Sequence, residues 1–183
     1  MFSRTGRPLT VVVVWLGLYL PRLAIADESV PVTYRLVAAE QGIPAQIFYA
    51  LALAESGKAI KNLKATRPWP WTLNIAGKGV YFNSRLEAWQ ALNASLQAGE
   101  SSVDIGLMQV NWHFHQQRLK NSWLALDPQH NLRVAANVLK DCYRQRRDWW
   151  ASVGCYHTPA NTERAKRYRA RVLAEWRNLG GKP

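Results

Sequence analysis

The stretch Ile43 to Ala54 (IPAQIFYALALA) is almost wholly apolar and ends abruptly in Glu55-Ser56-Gly57. Wound as an α-helix, it carries Ile47 and Leu51 on the same face as Glu55. If that face packs inward, a carboxyl group leaves water with it. Desolvation disfavours the charged form, so such a carboxyl holds its proton toward neutral pH, as a general acid must. The alternative is a helix C-terminus whose last polar residue reaches solvent.

Residues 1–26 read as a secretory signal peptide. Arg4 and Arg7 precede an apolar run from Thr10 to Leu20, and Ala24-Ile25-Ala26 supplies the small-x-small cleavage pattern before Asp27. The apolar run is about half of what a membrane-spanning helix requires. Residues 27–183 are then enough for one domain with its own core. Three of the 24 basic residues and none of the 12 acidic ones lie in the leader, which leaves a mature charge of +9. Such a surface suits a polyanion: nucleic acid, anionic lipid or an anionic cell-wall polymer. Export sets nucleic acid aside and favours the cell envelope, with a periplasmic location and at most peripheral membrane contact. Cys142 and Cys155 are an exported pair able to form a disulfide, or else two buried thiols.

Along the chain, helices are expected over Val32–Glu40 and Pro44–Glu55, broken at Gly42. Lys58 to Lys64 is basic and without clear period. Pro68, Trp69, Pro70 and Trp71 exclude regular helix and predict a loop or edge strand. Ile75 to Phe82 predicts a short hairpin. Ser84 and Glu87 form a capping box for a helix through about Leu96. Gly99 to Trp112 reads as a loop. Asp127-Pro128 starts a helix with Leu132, Ala135, Ala136 and Leu139 as its buried stripe. A short helix follows over Trp149–Tyr156, and a basic one over Thr162–Leu179. The whole is one mainly α domain with a small β-hairpin element.

Three segments, in order, resemble motifs of the soluble lytic transglycosylase family. They are Ala52-Leu53-Ala54-Glu55-Ser56, Gly106-Leu107-Met108-Gln109-Val110-Asn111 and Ala151-Ser152-Val153-Gly154-Cys155-Tyr156-His157. The resemblance implies a lysozyme-like α+β fold and a peptidoglycan glycan strand as substrate. Asp104-Ile105-Gly106 before the second motif resembles the branch that serves conjugation, secretion and pilus machines, which implies an envelope-spanning apparatus as partner. Gly57-Lys58 and His157 depart from the family pattern.

The resemblance implies Glu55 as the lone catalytic acid and base, yielding a 1,6-anhydro sugar without water. It implies Ser56, Gln109 and Tyr156 as polar contacts to substrate, with Met108 in the cleft wall, and Tyr156 donating a hydrogen bond to Glu55. Asp104 is the rival second carboxylate, whose pairing with Glu55 would imply a hydrolytic muramidase. Its plainer reading is a loop aspartate that accepts backbone N–H bonds. A wall-binding module without activity is the remaining alternative. No cofactor is expected. His113 and His115 lack the further ligands that a zinc site needs, so no metal is expected either. Trp69, Trp71 and Trp112 are candidate sugar platforms, with core packing the commoner use of such rings.

Overall fold

The computed structural model describes residues 29–182. The signal-peptide reading, with its cleavage before Asp27, lies outside the described residues. Helices α1 (Val32–Gln41) and α2 (Ala45–Ser56) meet at Gly42. Every residue of α2 from Ile47 to Leu53 is buried. A helix apolar all round has no solvent face to offer, so it becomes the axis of the core. It lies against α1 on one side and α8 (Thr162–Asn178) on another. Phe48 and Leu51 are fully buried, each contributing roughly 1.5–3 kcal/mol by removal from water.

Strand β1 (Gly57–Ile60) leaves α2 directly and pairs antiparallel with β2 (Ala65–Pro68) across a 3-10 turn at Lys61–Leu63. The departure at Gly57 has a steric cause: a Cβ there would stand 2.4 Å from the Leu53 carbonyl oxygen. Strands β3 (Thr72–Ile75) and β4 (Lys78–Tyr81) form the expected hairpin, which starts earlier than its sequence pattern indicates. After α3 (Arg85–Gln97), β5 (Val103–Ile105) and β6 (Val110–Asn111) complete a sheet of order β4-β3-β5-β6. The stretch read as a loop from Gly99 to Trp112 therefore holds two paired strands. Two sheets stand in place of a single hairpin element, within the same lysozyme-like α+β architecture.

Capping chemistry sets the helix starts as the sequence implies. Ser84 Oγ accepts the Glu87 N–H at 3.2 Å, and Glu87 accepts the Asn83 N–H at 3.1 Å. Asp127 caps α6 (Pro128–Arg146) through the His130 N–H at 2.9 Å. Leu132, Ala135, Ala136 and Leu139 are all buried beneath it. Between the sheet and α6 lie α4 (Trp112–Leu119) and α5 (Ser122–Ala125). Helix α7 (Trp149–His157) packs on both α6 and α8. Cys142 and Cys155 are bridged, joining α6 to α7, so the free-thiol alternative falls. Closing so short a loop contributes about 3 kcal/mol in the chain-entropy view.

Candidate active site

A cleft of about 670 Å³ opens between the C-terminal ends of α2 and α7, strands β3, β5 and β6, and the facing sides of α4 and α6. Glu55 lines it. The end of α2 carries the carboxyl to the boundary between core and cleft, where burial pushes its pKa up to about 7. Two influences oppose that rise: a hydrogen bond from Tyr168 and the positive charge of Arg171. The nearby charge of Asp104 reinforces it.

The Tyr168 hydroxyl donates directly to Glu55 Oε1. Burial keeps this phenol protonated far above neutral pH, so it remains a donor. His157 stacks flat on the Tyr168 ring, with centroids 4.2 Å apart and planes 6° from parallel. This corrects the hydrogen bond assigned to Tyr156. The Tyr156 hydroxyl donates instead to the Met108 carbonyl at 2.7 Å, while its ring lines the cleft. The reason is packing: α8 lies along α2 and brings Tyr168 to the acid. In the sequence Tyr168 looks like core, at helical spacing from Val172, and both are indeed buried. A core tyrosine still has a polar tip that needs a partner.

Two further assignments change. Ser56 is fully buried, and its hydroxyl donates to the Leu107 carbonyl at 2.7 Å. It fastens the end of α2 to the second motif and faces no substrate. Met108 is fully buried too and does not line the cleft; its N–H donates to Asn131 Oδ1 at 3.0 Å. Gln109 does line the cleft. Its backbone is left-handed, φ +45°, and its side-chain nitrogen donates to the carbonyls of Gly106 and Thr72 at 3.0 and 3.2 Å. Non-glycine residues rarely adopt that conformation, and the surrounding bonds hold it.

Asn131 organises this turn from α6. Its Nδ2 donates to the carbonyls of Ile105 and Ala125 at 2.9 and 3.1 Å. Gly106, at φ +80°, lies so close that a Cβ would stand 2.7 Å from the Asn131 amide. Glycine satisfies both the conformation and the approach.

Asp104 faces the same cleft from β5. Among the described residues it accepts side-chain amides in place of the backbone N–H bonds expected for a loop aspartate. The Asn111 amide donates to its Oδ1 at 2.8 Å and the Asn74 amide to its Oδ2 at 3.1 Å. The sheet register places Asn74, Asp104 and Asn111 side by side on three adjacent strands. Burial raises the Asp104 pKa, against the two amide bonds and His157. Asn74 Oδ1 is buried and has no hydrogen-bond partner among the described residues.

Residues 35–177 match the family described as Transglycosylase SLT domain. The chain belongs to this family. Curated proteins and solved structures return no match. Family membership makes the molecule a peptidoglycan lytic transglycosylase, with peptidoglycan as its substrate.

In this SLT transglycosylase the aromatic wall of the cleft is not tryptophan. Trp69 and Trp71 pack edge to face at 5.8 Å, and the Trp69 indole donates to the Phe82 carbonyl at 2.6 Å. Trp112 is buried. Phe114, 77% exposed, lines the cleft in their place. A single exposed phenylalanine on a polar helix carries no periodic signal that would single it out. His113 and His115 lie on α4, not on a strand, and the His113 ring hydrogen-bonds with Ser101 Oγ at 3.3 Å. Among the described residues no group of three or more His, Cys, Asp or Glu side chains gathers to hold a metal.

Proposed function

We propose that Glu55 is the single acid and base of this exported enzyme, acting on the MurNAc–GlcNAc β-1,4 bond of peptidoglycan. One observation carries the reading: the Glu55 carboxyl sits desolvated at the wall of a cleft of about 670 Å³, with its pKa raised to about 7. A carboxyl of that acidity is protonated on binding and a competent base afterwards. Its proton goes to the bridging oxygen as the glycosidic C–O bond breaks and positive charge develops at C1. The C6 hydroxyl of the same sugar then closes on C1, and Glu55 takes up the hydroxyl proton. No water is consumed, and the product is a 1,6-anhydro sugar. Tyr168 holds the carboxyl in place through both steps.

Asp104 supports a second reading. It shares the cleft with Glu55, and paired carboxylates suit hydrolysis. Against it, each Asp104 oxygen already accepts an amide N–H, which holds the carboxyl group in the sheet row. Mass analysis of muropeptides from purified sacculi decides between them. Anhydro ends, lighter by one water than reducing ends, are expected; reducing ends alone would establish the muramidase. The leader-like residues 1–26 and the +9 charge of the remainder support export to the periplasm. The Asp104-Ile105-Gly106 opening of the second motif supports service to an envelope-spanning machine.

A further inference from the structure

A second depression, of about 310 Å³, adjoins the cleft and shares His157 and Arg171 with it. Its remaining walls are Arg164, Arg167 and the Tyr168 ring. The three arginines follow one another at i, i+3 and i+7 along α8, so they project from one face. Among the described residues none of the three forms a salt bridge, and Arg171 instead lies over the Tyr168 ring, 5.0 Å from its centroid; four other arginines are paired with carboxylates. Arg118, on the far wall of the cleft, pairs with Asp141 at 2.7 Å, Arg133 with Glu40 at 3.1 Å and Arg85 with Asp127 at 3.7 Å.

Local helix energetics account for part of this placement, since Glu163 and Glu175 stand four residues from Arg167 and Arg171, but Arg164 has no acidic neighbour at that spacing. Like charges three and four residues apart repel, and Arg164 lies in the first helical turn, where the dipole disfavours a cation. An anion seated among the three would relieve both penalties. Guanidinium groups bind carboxylates through paired, directional hydrogen bonds.

Resting on the peptidoglycan reading above, we infer that the Arg164–Arg167–Arg171 depression binds free carboxylates of the stem peptide attached to the glycan strand in the cleft. The position suits a branch of the substrate. The depression begins at His157, whose ring stacks on the tyrosine that holds Glu55. A peptide leaving the muramyl sugar near the scissile bond would run directly onto it. Arg164 and Arg167 would then select peptide-bearing strands and add affinity without entering the chemistry.

The test compares soluble uncrosslinked strands carrying native stem peptides with the same strands after amidation of their carboxylates. The full chain is assayed as wild type and as the Arg164→Gln/Arg167→Gln double variant. Arg171 is left intact because its charge acts on Glu55. Both substituted residues are exposed and unpaired, and Arg164→Lys/Arg167→Lys serves as the charge-retaining control. On native strands the Gln variant should show KM about tenfold higher with kcat unchanged. On amidated strands it should match wild type, and the Lys variant should recover most of the affinity. Equal behaviour of wild type on native and amidated strands would overturn the inference, as would an equal loss by the variant on both. Loss of binding to anionic lipid vesicles with KM unchanged would assign the arginines to a membrane surface and also overturn it. Release of no muropeptides by wild type from either substrate would instead remove the enzymatic reading itself.

Discussion

Glu55 and Asp104 are two carboxylates in one cleft, and the elements that carry them explain why they differ. Glu55 is delivered by a helix buried on every side, and a single phenol holds one of its oxygens. Asp104 is delivered by a strand, and its neighbours across the sheet satisfy both oxygens. Burial raises the pKa of each. The difference lies in how the charged form is compensated. Glu55 has one phenol and the Arg171 charge to set against its burial, and its pKa still rises to about 7. At Asp104 two amide donors and His157 offset part of the burial that raises its pKa. A helix end and a sheet row thus turn the same functional group to different uses.

Replacing each carboxylate by its amide breaks this comparison most sharply. Glu55→Gln should lower muropeptide release by about 10²–10⁴-fold, the usual worth of a general acid. Asp104→Asn should cost less if its role is electrostatic, and its anhydro product should persist. Equal losses from both would collapse the distinction.

Stability should move in the opposite sense to activity. The folded-state pKa of Glu55 is raised above its unfolded value of 4.5 to about 7. The native state therefore holds the proton more tightly, and its stability falls as pH rises through that interval. Above about pH 7 the penalty is complete and amounts to roughly 3 kcal/mol at most. Glu55→Gln should be more stable than wild type at pH 8 by up to that amount, and no more stable at pH 4. Denaturant unfolding of both proteins at the two pH values reads this directly.

Gly106→Ala should destabilise by roughly 1–3 kcal/mol, since the new methyl meets Asn131 at a positive φ. The same unfolding measurement checks it, and the cleft-lining Gln109 should lose order with it. The smallest effect separates the two compensating arrangements. Tyr168→Phe removes a bond that lowers the Glu55 pKa, so the alkaline limb of the pH–rate profile should move up, with about a tenfold loss of rate. Asp104→Asn removes a charge that raises that pKa, so the same limb should move down. Shifts in the same direction for both variants would contradict the scheme.

The acid was legible in the sequence because it ends an apolar run, and a buried helix leaves its last residue little choice. Helix starts were legible because Ser84, Asp127 and their partners act over three residues. Tyr168 was not, because a tyrosine at core spacing looks the same whether its hydroxyl meets a backbone carbonyl or a carboxyl group in the cleft. Ser56 and Met108 were misplaced for a related reason: adjacency to a motif does not say which way a side chain turns. The Asn74–Asp104–Asn111 row was invisible for another. Its members join only when three strands align in one register, and a shift of one residue would turn them to the opposite face.

The linear order of residues by itself determined a helical core, its caps, a family and the carboxyl at position 55. Those properties depend on interactions over a turn or two of chain, or on local chemistry that needs no distant partner. Tertiary structure alone decided which phenol holds that carboxyl, that a second carboxylate shares its cleft, and that three arginines line a depression beside it. Each of these depends on where α8 lies against α2 and how β5 registers between its neighbours, and such long-range packing leaves no periodic trace along the chain.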